Sequence, residues 1–462
     1  MNPALKNTLL FAFVGLLLVG TGFVQGWNSA LFILNMGLVS AIMALGVNLQ
    51  WGFAGLFNIG VMGFVALGGL ATVLIGMPPV GEAWSAGGLQ VIAGLLLGVA
   101  TVVAVVFLRK KLTGRARTLG TIAALIVGFV IYRAVFDAGV VAIEAVDPAS
   151  TGYLGGLNIF GPHRDANDML LPDYFILLAW PMGGLLAAGP AWIIGKTALG
   201  LRSDYLAIAT LGIAEIIIAV MKNEDWLARG VKNVNGLPRP VPYEVTLQSD
   251  PGFIARAASF GFDPVTASTI YTKLCYTVLF AIVLLVLLWL AQKALNSPWG
   301  RMMRAIRDNE TAAEAMGKDV TARHLQIFIL GSAICGIAGA MMTTLDGQLT
   351  PGTYQPLRFT FLIWVMVIVG GSGNNFGAVL GGILIWWLWV QVEPISGAFV
   401  EILKNNAPDG EALSRRTRGL ENAIIWFIGV IDEGKAHMRL LTMGLVLLLV
   451  LRFSPRGLIP ER

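Results

Sequence analysis

Apolar residues in this chain fall into long uninterrupted runs, without the short-period alternation of soluble strands and helices. The runs lie at about 8–25, 30–50, 53–76, 87–108, 119–136, 174–195, 203–221, 271–294, 323–344, 357–371, 376–393 and 438–452. Runs of roughly 17 to 25 apolar residues are what a bilayer-crossing helix needs. The pattern therefore predicts an all-α fold, a polytopic transmembrane helical bundle of ten to twelve membrane segments forming one domain over 1–462. Two runs are interrupted by glycine: the third at Gly52, Gly55, Gly60 and Gly63, and the tenth at its end by Gly370, Gly371 and Gly373. Both read as broken helices, which membranes tolerate where the irregular backbone is buried in protein or lines a cavity. The first run follows Lys6 as a signal peptide would. No small-residue cleavage pattern precedes the next run at Leu31, so it counts as a span.

Composition agrees. Hydrophobic residues make up 56% of the chain and charged residues 13%, where a soluble domain carries about 25% charged. The 56 glycines fit helices packed through small residues. Cys275 and Cys335 both lie inside apolar runs, which argues against a structural disulfide, and His163, His324 and His437 are too scattered to suggest a metal site. The net charge of +5 sits in short loops beside spans, an orientation signal in place of a nucleic-acid surface. Arg109, Lys110, Lys111, Arg115 and Arg117 mark one loop; Arg301, Arg304, Arg307, Lys318 and Arg323 a second; Arg452, Arg456 and Arg462 the tail. Twelve spans place all three, and both termini, on the cytoplasmic side. The segments 137–173, 222–270 and 394–437 then lie outside, and 295–323 forms a cytoplasmic loop. In the third external segment Arg415, Arg416 and Arg418 run against the rule, offset by nearby acids, and 420–430 reads as an interfacial helix.

The polar segment 300–317 interrupts this apolar chain. Helical spacing groups Ala305, Ala312, Ala313 and Met316 on a small-residue face, with Arg301, Arg304 and Arg307 along one basic edge. Such a helix serves equally as a docking element or as a plain solvated loop. Polar residues inside spans point to a pathway. Asn35, Asn48, Asn58, Asp204 and Glu215 are the candidates, with Asp204 better explained by its place at a helix start. Glu215, deep in its span, must face protein or water; a pathway role and a structural hydrogen bond are equally open. Gly189 to Thr197 looks at first like a phosphate loop, but it has one residue too many between its glycines and closes an apolar span. The tryptophans Trp386, Trp387 and Trp389 suggest an interfacial belt.

Ser203-Asp204-Tyr205-Leu206-Ala207-Ile208-Ala209-Thr210-Leu211-Gly212 resembles the signature of branched-chain amino-acid ABC importer permeases of the LivM type. Arg304-Ala305-Ile306-Arg307, Asn309-Glu310 and Ala312 to Gly317 resemble their cytoplasmic loop. The run Val369 to Gly373 with Gly377 and Gly381, the ending Phe453 to Leu458, and the stretches Ala44 to Leu49 and Gly52 to Gly60 are similar to the family's other motifs. The resemblance implies a bacterial inner-membrane permease importing branched-chain or other hydrophobic amino acids. It implies as partners a second permease, two cytoplasmic ATPases and a periplasmic binding protein, with ATP and Mg on the ATPases and no cofactor on this chain. Arg301, Arg304, Arg307, Glu310, Ala312, Ala313, Glu314 and Gly317 would then be coupling residues, and Asn48, Asn58 and Glu215 candidates for the path.

This sequence departs from the pattern at Thr311, where the general importer loop has glutamate, and its segments 137–173 and 394–437 are long for the family. Related permeases carry urea or short amides. Two other classes compete: an ion-coupled secondary transporter, which would use an intramembrane carboxylate such as Glu215, and an intramembrane enzyme, for which no paired acids or nucleophile constellation is present at useful spacing.

Overall fold

A computed structural model describes residues 3–148, 150–161, 164, 168–405 and 435–461. Nine helices among them are long and apolar enough to cross a membrane. These are α1 (Leu5–Gln25), α2 (Trp27–Ala54), α4 (Gly81–Lys111), α5 (Gly114–Glu144), α6 (Tyr174–Ala198), α7 (Ser203–Asn223), α8 (Pro264–Leu295), α11 (Val320–Asp346) and α13 (Asn375–Asn405). Two shorter apolar helices, α3 (Val61–Gly76) and α12 (Leu357–Gly370), are the broken ones, and α14 (Lys435–Phe453) closes the series. Each of the twelve predicted runs thus has its helix, and the chain is a multi-pass helical membrane protein. Between α8 and α11 lie α9 (Pro298–Asp308) and α10 (Glu310–Ala315).

Several boundaries move. The third run divides: residues to Ala54 finish α2, 55–60 are not helical, and α3 starts at Val61. At 16 residues, α3 is about 24 Å long, short of a full crossing by itself. The stretch 420–430, with Arg415, Arg416, Arg418 and His163, falls outside the described residues. Trp386 is a core residue with the Arg358 guanidinium 5.2 Å from its ring centre, and Trp387 donates to Thr21 Oγ1 at 2.9 Å, so neither is a free belt residue.

α11 is the central post, against which α2, α3 and α6 pack. Small residues let backbones meet there: a Cβ on Gly68 would lie 1.9 Å from the Gly336 carbonyl oxygen, and one on Gly336 would lie 2.4 Å from the Gly183 carbonyl oxygen. Such contact makes van der Waals packing effective where lipid supplies no hydrophobic drive between helices. Thr72 donates across the same seam to the Ala340 carbonyl at 3.1 Å. By contrast, α4 and α5 pair almost only with each other, through Gly87 against Gly139 and Gly94 against Phe136. Their outward side chains, Leu96, Val99, Ile126 and Phe129 among them, are exposed as lipid-facing residues are.

Two faces can be told apart. At one, Arg307 meets Gly52 and Glu461, bringing together the end of α2, the α9 segment and the residues after α14. This is the basic face. At the other, Asn28 at the start of α2 meets Lys273 near the start of α8, and the two-residue strands β1 (Val234–Asn235) and β2 (Gln348–Leu349) pair antiparallel.

Candidate functional site

The first break begins where Gly55 takes a left-handed conformation, φ +70°, after α2. Its N–H bonds back to the Trp51 carbonyl and that of Leu56 to the Gln50 carbonyl, ending the helix in the usual glycine cap. Residues 55–60 then run without helix at membrane depth, so their polar groups need partners from the protein. Asn58 Oδ1 accepts from the Gly60 N–H at 2.9 Å, and Asn58 Nδ2 donates to Gln50 Oε1 at 2.9 Å. Gln50 Nε2 donates in turn to the Phe328 carbonyl at 2.8 Å and to Ser332 Oγ at 3.0 Å. Trp364 Nε1 donates to the Asn58 carbonyl at 3.0 Å, and the Ile59 N–H to Thr210 Oγ1 at 3.1 Å.

The second break joins α12 to α13. Gly371 and Gly373 have φ of +119° and +79°, conformations that side chains resist. Asn374 Oδ1 accepts from the Phe376 N–H at 3.0 Å to start α13. Asn48, from within α2, holds the second break: its Oδ1 accepts from the Gly373 N–H at 2.9 Å and its Nδ2 donates to Asn375 Oδ1 at 3.0 Å. Asn48 and Asn58 are thus fully buried and engaged in holding the breaks.

Beside the breaks the protein surface is grooved. An apolar hollow of about 470 Å³ is bordered by Phe57 and Ile59 of the first break, Leu211 of α7, and Thr360, Phe361 and Trp364 of α12. A second hollow of about 560 Å³, towards the basic face, shares Phe57 and is lined by Trp51, Asp204, Arg307 and Ser372. Asp204 makes no capping bond at the start of α7; it faces this lower hollow. Glu215 is one helical turn beyond Leu211 and is exposed on the outer side of α7, with Ile208 and Ile216. It is not the buried hydrogen-bonded carboxylate that its depth in the span allowed.

The basic-face segment differs from the single helix expected. It breaks at Asn309, whose side chain accepts from the Ala312 N–H at 3.0 Å and so caps α10. Ala313 turns inward onto Ile306 and Val320, while Ala305, Ala312 and Met316 are exposed; Met316 is 79% exposed. The four therefore do not share one face. Glu310, Glu314 and Gly317 are exposed alongside Ala312. The arginine edge turns back on the protein: Arg301 reaches the Asn296 carbonyl at 3.5 Å and Arg304 the Leu295 carbonyl at 3.3 Å. Arg307 bonds the Gly52 carbonyl, Glu461 at 2.8 Å and Asp308 at 3.1 Å. Burial disfavours its charge, but Glu461 and Asp308 more than offset that, holding its guanidinium charged above its ordinary range.

Sequence reading missed Gln50, Thr210, Ser332 and Glu461. Gln50 had a usable signal, an amide at the end of an apolar run; Glu461 had none. Replacing Gln50 with leucine would strand the amide of Asn58 and the hydroxyl of Ser332. We expect a loss of about 2–4 kcal/mol, read as a lower unfolding midpoint in detergent relative to wild type.

Residues 138–404 match the family model described as branched-chain amino acid transport system / permease component. The chain belongs to this family. Among curated relatives, the permease is 29% identical over 243 residues to the high-affinity branched-chain amino acid transport system permease protein LivM of Salmonella typhimurium, covering 51% of this chain and 55% of that one. The LivM protein of Escherichia coli matches with the same identity and coverage. The probable LivM permease of Methanocaldococcus jannaschii is 29% identical over 171 residues, 37% of this chain and 42% of its own. The chain thus spans about half the length of the first of these relatives. No solved structure matches it.

Proposed function

We propose that this permease is one membrane subunit of an ATP-driven importer for branched-chain or other hydrophobic amino acids in a bacterial inner membrane, with its basic face and both termini cytoplasmic. Of two cytoplasmic ATPases, one takes the exposed side of 300–317 into its groove, where Glu310, Ala312, Glu314 and Gly317 are presented. A second permease covers the grooved side. A carboxylate at the depth of Glu215 is costly against lipid, which supports assigning its face of α7 to a protein or water boundary. A periplasmic binding protein delivers solute at the opposite face.

The observation that carries the reading is the position of α9 and α10, exposed on the basic face and joined by Arg307 to the floor of the groove. ATP binding must change how tightly the partners hold this segment in two permease states, or no equilibrium moves. The apolar lining of the upper hollow supports a hydrophobic solute over urea or a short amide.

Gentle-detergent purification from the native membrane, with mass spectrometry of the accompanying proteins and solute uptake in vesicles, tests the reading. Stoichiometric ATPases and a second permease are expected, with uptake that stops on ATP depletion. Uptake that survives ATP depletion and collapses with an ion gradient would replace the importer with a secondary transporter centred on Glu215.

A further inference from the structure

Residues 458–461 lie along the second break as a short non-helical strip. The Leu458 N–H donates to the Val369 carbonyl and the Ile459 N–H to the Gly370 carbonyl, both at 2.9 Å, and Asn374 Nδ2 donates to the Pro460 carbonyl at 3.1 Å. The strip presents the Glu461 carboxylate to Arg307. The same guanidinium holds the Gly52 carbonyl beside the first break, and its Cγ would lie 3.5 Å from a Cβ on Gly55. Gly52 itself is pressed against the second break, since a Cβ there would lie 2.4 Å from the Gly373 nitrogen. Of the three arginines, Arg301 and Arg304 bond only to the residues just before α9. Among the hydrogen bonds of the described residues, those of Arg307 link α9 to Gly52 next to the first break and to Glu461 beside the second.

We propose that Arg307 and Glu461 form a clamp through which movement of α9 and α10 is delivered to both helix breaks at once, an inference that rests on the importer reading above. Guanidinium suits this work because its donors point in fixed, different directions, so one side chain serves the Gly52 carbonyl and the Glu461 carboxylate together. Both side chains are mostly covered, at 23% and 29% exposure, which shields the pair from salt. With the clamp closed, the segment, the end of α2 and the start of α13 move as one body beneath the groove. With it open, the segment follows the ATPase while the breaks stay behind. Both residues are positioning residues: they transmit displacement and perform no chemistry on the solute.

The test is a double-mutant cycle on the complex purified from its native membrane and reconstituted in vesicles, using Arg307→Gln, Glu461→Gln and the pair, with leucine as the trial solute. The readout is solute moved per ATP hydrolysed, which a simple loss of folded protein leaves unchanged. Each single variant is expected to keep its ATPases and lower this ratio about 5-fold, and the pair about 5-fold as well, because contacting residues that act through each other are not additive. A ratio unchanged in the singles, or a fall of about 25-fold in the pair, would overturn the clamp and leave the importer reading standing. Loss of the ATPases from either single would also overturn it, making Arg307 or Glu461 a docking residue. Absence of ATPases from the wild-type preparation would overturn the importer reading and the clamp together.

Discussion

Gly68→Val is expected to leave almost no correctly assembled protein in the membrane. Its first added carbon would lie 1.9 Å from the Gly336 carbonyl oxygen and 2.7 Å from the carbon behind it, both backbone atoms of α11 that no rotamer change can move. Relief requires α3 to part from α11, and α6 is locked into the same seam, because a Cβ on Gly183 would lie 3.0 Å from that oxygen and 3.2 Å from the Gly68 Cα. Ordinary overpacking costs about 1–3 kcal/mol. A clash between backbones at the centre of three helices exceeds that range, against total stabilities of about 5–15 kcal/mol. Gly189→Val on α6 is the control, since nothing lies within 4 Å of its added carbon. Membrane-fraction immunoblots and size-exclusion profiles in detergent read both. Normal yield and a single sharp peak for Gly68→Val would mean that the three-helix seam is wrong.

The second large effect is expected at the exposed platform. Ala312→Trp should lower ATP-driven uptake more than tenfold while the permease accumulates normally. Ala312 is exposed on α10. A small residue on a docking helix lets the partner's backbone approach, and an indole there holds it off. A penalty of only about 1.4 kcal/mol is already tenfold in binding. Uptake and the amount of ATPase recovered with the permease are measured together. Undiminished uptake with ATPases retained would place the docking surface elsewhere on the basic face.

How much of this was readable in the sequence depended on the distance over which each feature is determined. Membrane helices follow from the local run of apolar side chains, and all twelve runs became helices. The breaks at 55–60 and 371–374 were legible because clustered glycines favour irregular backbone over helix, even inside an apolar run. Asn309 also carried a local signal, a capping residue directly before Glu310 and two alanines. Reading 300–317 as one uninterrupted helix overrode that signal and wrongly grouped Ala313 with Met316. The clamp was beyond reach: Arg307 and Glu461 are 154 residues apart and meet only because the strip 458–461 follows α12. Trp386 looked interfacial because tryptophans near span ends generally are, and only packing against α12 shows it to be core. Glu215 was identified as a pathway candidate by its depth, but α7 is apolar nearly all round, so no periodicity indicated which way the carboxylate faces.

The hairpin of α4 and α5 is joined to the rest of the chain in a way that makes it topologically separable. Its two ends are already adjacent, with Pro79 and Gly155 paired in a backbone bridge and the Val80 N–H bonded to the Leu154 carbonyl at 3.1 Å. Anchorage is confined to that end, where Ala83, Val91, Phe136 and Ile143 gather around Leu154 and Trp226. Excising the loop-to-loop stretch would remove two crossings together, so every later helix would keep its direction through the bilayer. The family match begins at residue 138, near the returning end of this hairpin. The pair is therefore separable in topology: taking it out would leave the threading of the remaining helices unchanged.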